Sequence, residues 1–184
     1  MKSTVEKRKP SGFLDYLSLA VTTFGVGYLP LAPGTWGSLV AVGFYVALSN
    51  ILGPYKFTAG LVAAESTVAA IHAAILIAFV VFIILGILAA TRSVELLGNT
   101  DAPQAVVDEV IGQLTVFLFI PFTSSWILIG AGFLLFRLFD IWKPFPVDQL
   151  QDLPGGVGVC VDDIAAGIYG GVVLSAIYAL TLYL

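Results

Sequence analysis

The stretch from Val68 to Ala90 runs for 23 residues without a formal charge. A helix of that length crosses about 30 Å of hydrocarbon. Inside a bilayer a helix satisfies its own backbone hydrogen bonds, so this segment commits the chain to a helical membrane architecture. Composition agrees. Of the 184 residues, 59% are hydrophobic and 11% charged, and the mean hydropathy is +1.00. Soluble domains carry roughly a quarter charged residues. The expectation is an all-α protein: a small polytopic membrane bundle, with residues 13–184 as one embedded domain behind a basic, polar segment, residues 1–12.

The rest of the chain divides around that span. Lys2, Lys7, Arg8 and Lys9 make the start basic and place it in the cytoplasm by the positive-inside rule. No signal-peptide cleavage pattern follows. Phe13 to Phe24 is apolar but short, which suits an interfacial or re-entrant helix. The segment GVGYLPLAPGTWGS is rich in helix breakers. A first span is expected from Ser38 to Leu52, with Ser38 as its cap and Gly53-Pro54 as its stop. Val110 to Ile120 and Ile127 to Phe139 are apolar arms joined by PFTSSW, a helical hairpin whose short arms leave three, four or five full crossings open. Lys143-Pro144 should end its second helix. Ile164 to Leu184 is the last span, with Ala165, Ala166, Gly167, Gly170 and Gly171 spaced for close helix packing. His72 lies in the outer half of its span and suits packing better than chemistry.

Counted as five crossings, this order puts residues 1–37, 91–109 and 137–163 on the cytoplasmic side. Seven of the eight Lys and Arg residues and eleven of the twelve acids then share that side. Three acidic blocks stand out, each at the end of an apolar segment: Asp108-Glu109, Asp140 and Asp162-Asp163. A carboxylate beside hydrocarbon must be paired, solvated or bound to a cation. Three blocks on one face suggest a divalent metal site. Arg137, Asp140 and Lys143 recur every three residues and share a helix face, an arrangement suited to a phosphate beside a metal. Taken singly, Asp162 or Asp163 could cap the last span, and Asp140 could pair with Arg137 or Lys143.

Other chemistries are excluded by what is missing. The single histidine, His72, is far from the acids. Cys160, the single cysteine, permits no internal disulfide, and no arginine stands six positions after it. Neither a DxDx(T/V) motif nor a GxxxxGK[ST] loop occurs. A net charge of −4 with no basic stripe argues against nucleic acid as a partner. Metal-assisted attack by water or by a carboxylate remains. An ion pathway through clustered carboxylates, or a non-catalytic membrane subunit, are the alternatives. The first would place acids near the membrane midplane rather than at helix ends.

LPLAPGTWGS, DAPQAVVDEVIGQ, FRLFDIWKPFP and GGVGVCVDDIAAGIYGG occur in that order, and together they resemble the phosphatidylglycerophosphatase A family. The resemblance covers Gly25 to Gly171. It implies a small, mostly helical, Mg²⁺-dependent phosphatase of the bacterial inner (cytoplasmic) membrane, active on the cytoplasmic side. The implied substrate is the lipid phosphatidylglycerophosphate, hydrolysed to phosphatidylglycerol. The family pattern carries over to Asp108, Glu109, Asp140, Lys143, Asp162 and Asp163. It also carries over to Pro33, Gly34, Thr35 and Ser38, and more loosely to Asp101 and Arg137. With that substrate, Asp108, Glu109, Asp162 and Asp163 are expected as metal ligands. Asp140 either completes the ligand shell or acts as base. Lys143 and Arg137 are expected to hold phosphate oxygens, helped by Gly34, Thr35 and Ser38. The catalytic set is then Asp108, Arg137, Asp140 and Lys143.

Overall fold

The computed structural model describes residues 5–59, 65–100 and 102–183. Within them the chain forms seven α-helices and no strand: α1 (Phe13–Thr23), α2 (Pro33–Ala59), α3 (Glu65–Leu97), α4 (Val107–Phe117), α5 (Trp126–Trp142), α6 (Val147–Leu150) and α7 (Gly156–Thr181). A 3₁₀ turn, Val26–Tyr28, lies between α1 and α2. Three stretches are long and apolar enough to cross a membrane: Pro33–Leu52, Ala69–Leu97 and Gly156–Thr181. Asp101 and part of the loop expected between the first two spans lie outside the described residues.

Several helix ends differ from the sequence-based expectation. α2 begins at Pro33, not Ser38. Proline fits the first helical position, because its missing N–H would have no partner there anyway. Ser38 is therefore not a cap. It is buried, and its hydroxyl donates to the Gly34 carbonyl at 3.0 Å. Gly53-Pro54 does not stop α2, which continues to Ala59. Thr91 to Leu97, beyond the expected end of the span at Ala90, are the last turns of α3. Asp162 and Asp163 do not cap the last helix either. It starts at Gly156, so both fall well inside it.

The hairpin takes the expected form. With 11 residues, α4 is about 16 Å long and too short to cross; α5, with 17, is about 25 Å. The turn between them is tied to α2 by Tyr45. Its hydroxyl contacts the Pro121 carbonyl at 3.4 Å and accepts from the Thr123 N–H at 3.0 Å, while its ring stacks on Phe117 with centroids 4.1 Å apart. α5 ends at Lys143, as Lys143-Pro144 predicts. Lys143 takes a left-handed conformation (φ 47°), and its N–H bonds the Phe139 carbonyl.

Glycines set the contact of α4 with α7. A Cβ on Gly112 would strike the Phe136 ring and the Asp163 carbonyl, and one on Gly167 would strike the Gly112 carbonyl. This is the small-residue approach that membrane helices use where no hydrophobic effect drives them together. α3 instead turns Ile77, Val80, Ile84, Leu85 and Leu88 outward. α1 is inverted relative to a soluble helix. Phe13, Leu14 and Tyr16 are exposed, whereas Asp15, Thr22 and Thr23 are buried. An apolar outer face and a polar inner face suit a helix lying at a membrane surface.

Candidate active site

Five helix ends meet at one end of the bundle. α2, α4 and α7 begin there, and α3 and α5 finish there. The Gly156 N–H donates to the Thr91 hydroxyl at 2.9 Å, joining the start of α7 to the end of α3. The Val106 N–H donates to the Thr22 carbonyl at 2.9 Å and seats the start of α4 on α1. All three acidic blocks therefore converge, although 54 positions separate Asp108 from Asp162.

Asp108 and Glu109 occupy the first turn of α4, where the positive end of the helix dipole favours anions. Asp163 approaches from α7. One carboxylate oxygen from each of Asp108, Glu109 and Asp163 lies within 4.8 Å of the other two. Like charges at that distance repel by roughly 3 kcal/mol per pair at an effective dielectric of about 20. The neighbouring protein offsets this only in part. Asp108 Oδ1, Glu109 Oε2 and Asp163 Oδ2 are buried and find no hydrogen-bond partner among the described residues. Three convergent oxygen donors of this kind can hold a hard divalent cation.

The other expected residues lie around this trio. Arg137 pairs with Asp140 at 2.7 Å, and the Asp140 carboxyl lies beside that of Asp163. Asp162 turns away from the trio. Its Oδ2 accepts from Lys143 Nζ at 2.6 Å, and Lys143 also donates to Gln151 at 3.2 Å. Burial works against the Lys143 ammonium. The hydrogen bond to Asp162 and the charges of Asp162, Asp163 and Asp140 outweigh it and raise the Lys143 pKa. Gly34, in the first turn of α2, lies over Glu109 and Arg137: a Cβ there would collide with the Glu109 carboxylate and come within 3.1 Å of the Arg137 guanidinium. Thr35 is half-buried one residue on. The Ser38 hydroxyl hydrogen is already committed to α2's own backbone.

One acidic centre escaped the sequence. Asp15 is buried at the start of α1. It accepts from Arg8 at 2.7 and 3.1 Å, from Arg92 at 2.7 Å and from the Ser11 N–H at 3.0 Å. The only local hint was a charge inside an apolar helix. The Arg8 bonds first, then the Ser11 N–H, hold its carboxyl far below the usual carboxylate range, against the effect of burial; Arg92 adds to the same pull.

A membrane-embedded helical protein with buried acids and partly exposed cations at one end is a candidate for handling a phosphorylated lipid. A family model for phosphatidylglycerophosphatase A matches residues 19–178. The chain is 34% identical over 170 residues to phosphatidylglycerophosphatase A of Haemophilus influenzae, covering 92% of this chain and 93% of that one. It is 29% identical over 157 residues to phosphatidylglycerophosphatase A of Escherichia coli K12, covering 85% and 80%. A Bacteroides thetaiotaomicron protein, named provisionally as a phosphatidylinositol-3-phosphatase, is 37% identical over 155 residues, covering 84% and 88%. No solved structure matches. The chain belongs to the phosphatidylglycerophosphatase A family and is a lipid phosphatase.

Proposed function

We infer that the protein removes the terminal phosphate of phosphatidylglycerophosphate, giving phosphatidylglycerol and inorganic phosphate, with Mg²⁺ at the acidic cluster on the cytoplasmic side of a bacterial inner membrane. The observation that carries this is the meeting of three carboxylates, each with one buried oxygen that lacks a hydrogen-bond partner among the described residues, with two cationic side chains at one end of the bundle. An all-oxygen donor set fits Mg²⁺, and Asp108, Glu109 and Asp163 are the residues that would hold it. When bound, the ion would supply positive charge against the phosphate dianion and Lewis acidity at a phosphoryl oxygen.

The protein's own groups divide the remaining work. Arg137 and Lys143 are cationic donors already poised by Asp140 and Asp162, and they exchange those partners for phosphoryl oxygens. Gly34 keeps the space over Glu109 and Arg137 clear of side chain. Asp140, once released by Arg137, accepts a proton from the attacking water. The water oxygen bonds to phosphorus as the phosphorus–oxygen bond to glycerol breaks, and the departing alkoxide takes up the proton that Asp140 received. Before substrate arrives, Asp162 holds Lys143 in position.

The cytoplasmic orientation is supported by charge. Seven of the eight Lys and Arg residues belong to segments at or leading to the acidic end. The α4–α5 hairpin does not alter this parity, since its outer ends return to the same side.

Phosphate release from phosphatidylglycerophosphate by the purified chain, with Mg²⁺ and then with chelator, is the direct test. No release from folded protein would end the proposal. The Bacteroides relative's name motivates a second substrate arm, phosphatidylinositol 3-phosphate, which presents the same phosphomonoester on another headgroup. Faster turnover of that lipid would reassign the headgroup and keep the chemistry.

A further inference from the structure

Seven buried side-chain polar atoms lack an aligned hydrogen-bond partner among the described residues. Five belong to Asp108, Glu109, Arg137, Asp162 and Asp163, which form the site already described. The other two are Nε2 and Oε1 of one residue, Gln113. Gln113 is fully buried, on α4. A solvent-excluded amide with both ends unsatisfied is strongly unfavourable unless something pairs with it. Leucine or methionine would fill the same volume without that penalty.

Its place on the helix says what that partner is. Gln113 follows Glu109 by four residues, so the two lie on one face of α4, one turn apart. Side chains on a helix lean toward its N-terminus, onto the residue three or four positions earlier. The Gln113 amide therefore leans from below toward the level of Glu109. On that face Gly34 and Gly37 of α2 approach α4, and Arg137 of α5 comes within 3.1 Å of a Cβ placed on Gly34. The amide is neutral. It can add a donor and an acceptor to a crowded anionic site without changing its charge.

Resting on the hydrolysis reading above, we propose that Gln113 is a further residue of the phosphate site. Its Nε2–H donates to a phosphoryl oxygen, and its Oε1 accepts from the attacking water or from a protonated phosphate oxygen.

The test uses the full-length purified chain and Gln113→Met, with Gln113→Leu as a second variant should the first fold poorly. Inorganic phosphate in the presence of Mg²⁺ is the probe. Its binding is read from the shift it produces in the thermal midpoint and from its inhibition of turnover. A hydrogen bond to a charged group corresponds to roughly a 10- to 100-fold change in binding. The expected result is phosphate binding and kcat/KM both weakened by about that factor, with the ligand-free midpoint unchanged or raised. Phosphate binding within twofold of the unsubstituted protein, measured per folded molecule, would overturn the proposal whatever the midpoint does. A wild-type protein that releases no phosphate from the lipid would defeat the hydrolysis reading instead. The phosphate-induced midpoint shift would still decide the role of Gln113.

Discussion

Two acidic centres lie at the same end of this bundle, and they are opposite in electrostatic character. At Asp15 a single buried carboxylate is met by Arg8, Arg92 and a backbone N–H. Its negative charge is fully compensated inside the protein. At Asp108, Glu109 and Asp163, three carboxylates converge while one buried oxygen on each lacks a partner. Burial of charge is thus not what marks a functional site, since both centres have it. The difference is whether the fold completes the hydrogen bonding. The completed centre fastens elements together: Asp15 joins the N-terminal segment and α1 to the end of α3, and Thr22 and Ser93 add a buried hydroxyl pair at 2.9 Å. In the proposed reading, the incomplete centre keeps its valence for a ligand, at the expense of stability.

Substitutions can break or sharpen that contrast. The largest effect is expected in the incomplete centre. Asp163→Asn or Asp108→Asn should lower kcat by on the order of 10³-fold. In chelator the same change should raise the thermal midpoint, because one repelling charge is gone. A lowered midpoint would mean that these carboxylates are paired after all. Added Mg²⁺ should raise the midpoint of the unsubstituted protein and leave that of Asp108→Asn nearly unmoved, as scanned calorimetrically.

The next effects come from residues bordering the trio. Lys143→Met should reduce kcat/KM by roughly 10²-fold, since a charged donor to the transition state is removed. Gly34→Ala places a methyl group against the Glu109 carboxylate and should cost up to about 10²-fold in turnover through misplacement. Phosphate-release assays on folded protein would measure both. Near-normal rates in Gly34→Ala would show that Glu109 can move aside without consequence.

At the completed centre the pattern should reverse. Asp15→Asn should lower the thermal midpoint while kcat per folded molecule stays within about threefold of the original. The pH dependence has a definite sign. Because the folded pKa of Asp15 is depressed, its stabilisation is fully present above the unfolded carboxylate value of about 4 and fades as pH falls below it. The midpoint gap between wild type and Asp15→Asn should be constant near neutrality and narrow below about pH 4. The smallest effect is expected for His72→Leu, which lies in an apolar cleft of about 890 Å³ far along α3 from the acids. A large loss of turnover there would reopen its expected packing role.

Local physics accounts for what could be read without coordinates. A 23-residue uncharged run has no stable option in a bilayer except helix. Lys143-Pro144 ends α5 because proline constrains its predecessor. The three acidic blocks at segment ends were visible for the same reason: charge and hydrophobic length are properties of a few neighbouring residues. Their grouping on one side followed from counting crossings. The rest depended on how helices are rotated and packed. Asp162 and Asp163 are adjacent, so their side chains diverge by about 100° around α7. Only the close approach of Gly112 and Gly167 decides that Asp163 faces α4 while Asp162 faces Lys143. Asp15 is a lone charge in an apolar helix, and only the packing of α3 brings Arg92 to it. Gln113 closes one of the blocks that carry the family resemblance, but its role was not legible there, because an unsatisfied amide is defined by what surrounds it. Composition and periodicity determine where helices form and which residues could do chemistry; the contacts between helices determine which of them meet.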